Sequence, residues 1–292
     1  VDFVRIEAMC RLFAQVSPTP RSARAPLAEG EFSLLRQADA APDNPQTDGW
    51  GVAWFGADGK PRLVKSGGSA ALERTRFLQA ADEAVSTVVL GHIRAASKGI
   101  PIDRDHAHPF VDDGWAFAHN GTLTIHREVA AALGARRARL QTDSDSEVYF
   151  QQFLKHFDAC GDPSRAFELC VEENWRLWED CRGLYPDAAT PYTGLNALAA
   201  DARGVTALCH AARRGLAECG VCHPGQPWSV MSFAERGDAV LLASEGVDAG
   251  AWTRFTPPET ATCAVVAGRV ETRRRTLSPR VPRGPVPEVS RS

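Results

Sequence analysis

The chain has 292 residues, 44% of them hydrophobic and 24% charged, which is a globular composition with length for one large domain or two small ones. A formal net charge of −3 argues against a general nucleic-acid binder, and no apolar run approaches the ~20 residues that cross a bilayer. The first eight residues, VDFVRIEA, carry two acids and one base and lead into no signal-peptide core, so the expected address is the cytoplasm. In that setting most of the cysteines (Cys10, Cys160, Cys170, Cys181, Cys209, Cys219, Cys222 and Cys263) are expected reduced and buried, or reactive, rather than paired.

Short apolar runs bounded by turn residues dominate the first half. CRLFAQV (10–16), GWGVAWF (49–55), STVVLGHIR (86–94) and WAFAHNG (115–121) read as strands. DAAPDNPQTDG (39–49) and FGADGKPR (55–62) read as loops. Helices are expected over 70–84, 124–134, 144–158 and 163–181, with Ser144 or Ser146 as a cap for the third. Further strands are expected at 195–201, 205–212, 227–233, 239–244 and 263–273. Many antiparallel-looking strands with a few long helices suit an α+β layered domain better than alternating βαβ units. From 273 to 292 the chain holds six Arg, four Pro and a single acid, Glu288, which reads as a disordered basic tail.

Several polar or Gly-rich stretches sit at the ends of apolar runs: TDGWGVAWF (47–55), GHIRAAS (91–97), DHAHPF (105–110), AHNGTL (118–123) and TDSDSEV (142–148). Singly, each has a plain structural explanation. Asn120-Gly121 is a turn dipeptide, Asp48-Gly49 is another, Asp145 can cap a helix, Arg94 can be a surface charge, and His106 and His108 can be loop residues. Their order carries more information than any one of them.

In that order the stretches resemble the glutaminase domain of class II glutamine amidotransferases, which are N-terminal-nucleophile hydrolases. MCRLFA (9–14) is similar to the family's opening, in which the Cys after the initiator Met becomes the first residue and attacks the side-chain amide of glutamine. DGWGVAWF (48–55) is similar to the stretch after the first substrate loop. GHIRAAS (91–97) resembles the segment whose Arg holds the substrate α-carboxylate, and HPF (108–110) and HNGTL (119–123) follow in order. DSE (145–147) resembles the segment whose Asp holds the α-amino group. The resemblance is strong from Met9 to about Val148 and extends in strand pattern to about Val270. It is closest to the stand-alone branch without a synthase domain, which includes the hydrolase that removes glutamate from a γ-glutamyl intermediate of ergothioneine biosynthesis.

The resemblance implies a four-layer αββα sandwich spanning 10–272, with residues 1–9 a mis-called start or a propeptide. A Val first residue fits the literal translation of a GTG codon, with Met9 as the start. It implies Cys10, Asn120 and Gly121 as catalytic residues, and Arg94, Asp145, Ser97, His119, Asp48 and Gly49 as substrate-binding residues. The chemistry needs no metal or cofactor. The α-amine of a first-residue Cys, with a pKa near ~8, can take the thiol's proton and hand it to leaving ammonia. Asn120 and the Gly121 N–H would donate to the tetrahedral oxyanion. The expected partner is a small molecule, glutamine or a γ-glutamyl compound, with a separate ammonia-accepting enzyme as an option and no nucleic acid or membrane. A non-catalytic amino-acid-binding protein that keeps the pocket is the alternative.

The sequence also departs from the family pattern. Several relatives carry an Arg-Gly pair where this chain reads NPQTDG (44–49), and Ala95 stands where synthase-linked relatives have a bulky aromatic, which implies a more open pocket. Asp143 and Asp145 compete for the ammonium role, and the spacing to Glu147 favours Asp145. CGVCH (219–223) matches a haem-attachment pattern and offers two of four zinc ligands, or is a Gly-containing turn with incidental cysteines.

Overall fold

Strand β1 (Arg11–Ser22) sets the pattern of the whole fold. Leu12, Ala14 and Val16 face one side and Phe13 the other, and both sides are buried. A strand covered on both faces needs no polar alternation, which explains the nearly continuous apolar run after Cys10. The structure is a computed structural model describing residues 10–39, 46–96, 100–212, 223, 226–227 and 229–281.

β1 is the middle strand of a seven-stranded antiparallel sheet. On one side lie β4 (Val85–Ile93), β2 (Trp50–Phe55) and β3 (Pro61–Ser66). On the other lie β10 (Ala239–Ala243), β9 (Ser232–Arg236) and β11 (Thr253–Arg254). The second sheet has six strands. They run in the order β13 (Arg269–Thr276), β12 (Glu259–Val266), β8 (Gly204–Cys209), β7 (Asn196–Asp201), β6 (Trp115–Asn120) and β5 (Phe110–Asp112).

The sheets pack face to face through small and branched side chains. Leu12, Ala14, Ala53 and Leu90 of the first meet Ala118, Leu198, Ala207 and Ala261 of the second. On the outer face of the first sheet, Phe13, Trp50 and Val52 pack under α1 (Leu34–Asp39) and α2 (Arg74–Glu83), including Leu34 and Phe77. On the outer face of the second, Phe117 stacks on Phe150 at 5.1 Å beneath α4 (Asp145–Cys160) and α5 (Pro163–Cys181). The short α3 (His126–Ala131) joins this layer. The layers are therefore αββα, as expected.

The helix joints follow local chemistry. α4 ends on Gly161 in the left-handed conformation, and α5 begins on Asp162, whose carboxylate accepts the Ser164 and Arg165 amides at 2.8 and 3.1 Å. At the start of α4, Ser144 takes the expected N-cap position, but without the side-chain bond of a cap. Glu147 reaches back to the Gln141 and Thr142 amides at 2.9 and 2.7 Å.

Other elements differ from expectation. β3 is not among the expected strands: its first two residues fall in the run 55–62 expected as a loop and 63–66 carry no expectation, because its edge position leaves it half-exposed and weakly patterned. The strand expected at 227–233 lies at Ser232–Arg236. The single run 263–273 is the inner half of a hairpin, β12 and β13, that turns at Ala267 and Gly268, both at positive φ. The boundary of the tail moves accordingly. β13 continues through the arginines to Thr276, Leu277 is buried, and Arg274 and Arg275 pair with Glu259 and Glu168. The arginines extend an edge strand because buried acids answer them, and the remainder, 282–292, lies outside the described residues.

Candidate active site

Strand direction brings the chemistry together. β1 and β2 both run antiparallel to β4, and Ile93 at its end lies opposite both Arg11 and Trp50. The residue before β1, the residues before β2 and the residues after β4 therefore meet at one corner. These are Cys10, Asp48-Gly49 and Arg94-Ala95-Ala96. The end of β6, Asn120-Gly121, reaches the same corner from the second sheet.

The Cys10 Sγ sits 3.4 Å from both the amide N and the carbonyl O of Ala95. Burial pushes this thiol above its ordinary pKa, and the Ala95 amide and the nearby Arg94 and Arg11 charges oppose that only in part. The sulfur therefore rests as a thiol at neutral pH and needs a base. Asn120 donates from Nδ2 to the carbonyl O of Cys10 at 3.1 Å. One amide hydrogen is used there and the second is left for another acceptor beside the sulfur. Gly121 has φ +148°, and a Cβ would stand 2.1 Å from the Gly194 carbonyl, so only glycine lets the chain pass.

Arg94 is buried, and its backbone continues the β2–β4 ladder through bonds to Gly49 and Asp48. Its Nη1 donates to the carbonyls of Pro101 at 2.8 Å and Asp48 at 3.2 Å. The Asp48 carboxylate accepts the Ala96 amide at 2.9 Å, so this side chain holds the turn after β4 rather than pointing at open space. Gly49, at φ +138°, fits between Ala107 and the Arg94 side chain.

Asp145 opens α4, where Oδ2 accepts the Leu123 amide at 2.8 Å and Oδ1 lies 3.3 Å from Ser146 Oγ. Asp143 is exposed and contacts His106 at 3.4 Å. Of the two acids, Asp145 is the one whose charge is felt at Cys10. His119 is engaged on both ring nitrogens, with Ser146 Oγ at 2.9 Å and the Gly194 carbonyl at 3.1 Å. That pairing puts the proton on Nε2 and makes His119 a brace between α4 and the Gly194 segment that backs Gly121. Ser97, Cys219 and Cys222 lie outside the described residues.

The sequence reading missed the site's buried supports. Arg11, next to the nucleophile, pairs with Glu245 at 3.3 Å, and Glu245 also accepts the His223 amide at 2.7 Å. His92 and His108 lie ring to ring at 4.3 Å, and none of their nitrogens has a hydrogen-bond partner in good geometry among the described residues. Burial, and then the Arg94 charge, push His92 down to about 3, and burial keeps His108 well below the usual imidazole range. Lys65 on β3 is also buried there. Arg11, His92 and His108 lie inside stretches already singled out, but their contacts, like the burial of Lys65, come from register and are not visible in any one stretch. Among the described residues no group of three or more His, Cys, Asp or Glu is placed to hold a metal, and no helix is long and apolar enough to cross a membrane.

The profile of class II glutamine amidotransferases matches residues 9–212. Glutamine–fructose-6-phosphate aminotransferase (isomerizing) of Chlamydia caviae is 36% identical over 90 residues, covering 30% of this chain and 15% of that one. The enzyme of the same name from Rhizobium leguminosarum bv. viciae is 33% identical over 94 residues, 31% of this chain and 15% of that one. The chain thus matches only about 15% of the length of these curated relatives. A solved glutamine aminotransferase class-II domain protein from Silicibacter pomeroyi superposes with TM-score 0.63 at 20% identity, over 92% of this chain and 100% of that one. B. subtilis glutamine phosphoribosylpyrophosphate amidotransferase gives TM-score 0.58 at 15% identity, over 91% of this chain and 49% of that one. At those identities the structural likeness speaks for the fold, an N-terminal-nucleophile-type sandwich, while the family profile spans most of the chain. The chain belongs to the class II glutamine amidotransferases.

Proposed function

We propose that the protein hydrolyses the side-chain amide of glutamine, or a γ-glutamyl amide, through a thioester on Cys10. The observation that carries this reading is the convergence on one corner of a half-buried thiol, an amide donor, a buried guanidinium and a carboxylate. Arg94 is suited to the substrate α-carboxylate by a forked, charge-assisted contact, and Asp145 to its ammonium. Those two contacts orient the side-chain amide toward the Cys10 sulfur.

The protonated thiol requires a base, and no imidazole nitrogen or carboxylate among the described residues is within hydrogen-bond reach of the sulfur. In this reading the base is the Cys10 α-amine, freed when the peptide bond to Met9 is absent. It takes the thiol proton as sulfur attacks the amide carbon. The resulting oxyanion is held by Asn120 Nδ2 and the Gly121 N–H. The proton passes to the leaving nitrogen, ammonia or an amine departs, and water then opens the thioester to give glutamate. Transfer of the ammonia to a separate acceptor enzyme would use the same first half-reaction.

Hydroxylamine tests the intermediate, because it intercepts a glutamyl thioester. The expected product from glutamine and hydroxylamine is γ-glutamyl hydroxamate, absent with Cys10→Ala. Ammonia release by Cys10→Ala at the wild-type rate would remove Cys10 from the chemistry.

A further inference from the structure

Two buried cations stand at the Arg94 end of the site without a carboxylate in direct contact, although Asp105, Glu147 and Asp103 lie near enough to Lys65 for their charge to be felt. Arg94 is 4% exposed and Lys65 9%, and among the described residues neither forms an ion pair with a carboxylate. Backbone carbonyls hold them instead. Arg94 Nη1 donates to Pro101 and Asp48, and Lys65 Nζ donates to Ala107 at 2.8 Å and Asp105 at 3.2 Å. Three of these four carbonyls belong to one loop, 101–107. The Lys65 ammonium also lies 4.9 Å from the centre of the Phe110 ring.

The loop joins the two cations mechanically. Ala107, whose carbonyl Lys65 grips, packs at Gly49, where an added Cβ would meet Ala107 Cβ at 3.2 Å and Arg94 Cδ at 3.5 Å. Lys65 lies opposite Gly51, where an added Cβ would stand 2.9 Å from Lys65 Cβ and 2.2 Å from the His108 carbonyl. The lysine therefore occupies space that a missing side chain leaves, and its stem and head are both fixed. Carbonyl dipoles compensate a buried cation less well than a carboxylate does, so this corner favours an arriving anion.

Building on the amide-hydrolysis reading, we propose that Lys65 is a positioning residue for recognition of the substrate's α-carboxylate. Its ammonium straps the 105–107 carbonyls, fixes the loop that sets the Arg94 head group, and adds a second positive charge at the carboxylate end. Burial lowers the Lys65 pKa to about 8; Asp105, Glu147 and Asp103 oppose the shift and Arg104 adds to it. His108, which also feels this charge, stays neutral. Lys65 is thus charged at neutral pH and loses its charge as pH rises through about 8, so carboxylate binding should weaken above that pH.

Calorimetry with L-glutamate and with 4-aminobutanoate, which lacks the α-carboxylate, tests the assignment without requiring turnover. Lys65→Met is expected to weaken L-glutamate binding about tenfold and to leave 4-aminobutanoate within about twofold. Lys65→Arg is expected to stay within about threefold of wild type and to lose the weakening above pH ~8. Equal losses for both ligands with Lys65→Met, unchanged L-glutamate affinity, or an alkaline weakening that persists in Lys65→Arg would each overturn the assignment. So would a wild-type protein that does not bind L-glutamate. If Lys65→Met does not fold, the pH profile of Lys65→Arg decides alone. Selective L-glutamate binding without amide hydrolysis would defeat the proposed reaction and leave Lys65 in place; hydrolysis with full affinity in Lys65→Met would do the reverse.

Discussion

Asn120 holds the carbonyl of the residue that carries the nucleophile, so one side chain ties the sulfur's position to the donor that would stabilise the oxyanion. Asn120→Ala is expected to lower kcat on glutamine by about a hundredfold or more with little change in KM, since the lost donor acts mainly in the transition state. Steady-state kinetics checks this, and a KM effect alone would place Asn120 in ground-state binding. Asp145→Asn is expected to raise KM for glutamine by about tenfold while sparing an analogue without the α-amine, because the charge answers only the ammonium. Residues of this kind were legible in the sequence: Arg94, Asn120 and Asp145 each sit where an apolar run ends or a helix starts. Lys65 was not, because the role proposed for it depends on lying opposite Gly51 across a strand pair and against a loop some forty residues away in sequence. Asp48 and His119 were expected at the site from the sequence, but their partners, the Ala96 amide and the Gly194 carbonyl, appear only once the chain is folded.

At the scale of elements, the strands that flank the site were readable because they are buried on both faces and their apolar runs are long. The edges were harder. β3 carries a half-exposed pattern, and the β12–β13 hairpin hides its turn in Ala267-Gly268, where alanine adopts φ 48°. A left-handed conformation costs an L-residue with a Cβ about 1 kcal/mol or more relative to glycine. Ala267→Gly is therefore expected to stabilise the protein by roughly 0.5–1 kcal/mol, after the extra chain entropy that glycine brings to the unfolded state is deducted. Denaturant unfolding checks it, and destabilisation would mean that the turn does not strain alanine. At Gly121 the opposite holds: Gly121→Ala drives a Cβ into the Gly194 carbonyl and should abolish activity through loss of the local backbone path.

For the whole molecule, the buried imidazoles between and beside the sheets link stability to pH. His92, His108 and His119 all have pKa values below the ordinary 6.5, chiefly through burial. In this window the unfolded chain binds protons that the native protein refuses, so stability is full above the unfolded pKa and falls as pH drops below it. For His92 the loss continues down to about 3. Each such group contributes roughly 1.4 kcal/mol per pH unit well below its unfolded pKa. Between pH ~6.5 and ~4.5 carboxylate protonation adds little, so the fall in Tm there should belong to the histidines, with a shallower slope in His108→Asn. Equal slopes would mean that His108 is not held neutral by the fold. The apolar patterning showed an α+β layered domain with many antiparallel strands and two long helices, while the four-layer order came from the family resemblance, because each sheet mixes early and late strands. The extent of β13 was not, because arginines at an edge strand look like a solvated tail until Glu259 and Glu168 are seen to face them.

The central claim is that Cys10 attacks the substrate with its own amine as base, and the most direct measurement is the intact mass of the protein before and after treatment with a glutamine-like diazoketone. The predicted result is an active protein whose first residue is Cys10, gaining one inhibitor mass mapped to that residue, with activity lost in proportion. Full activity in protein that retains Met9 on Cys10, or inhibitor attached to any other residue, would contradict it.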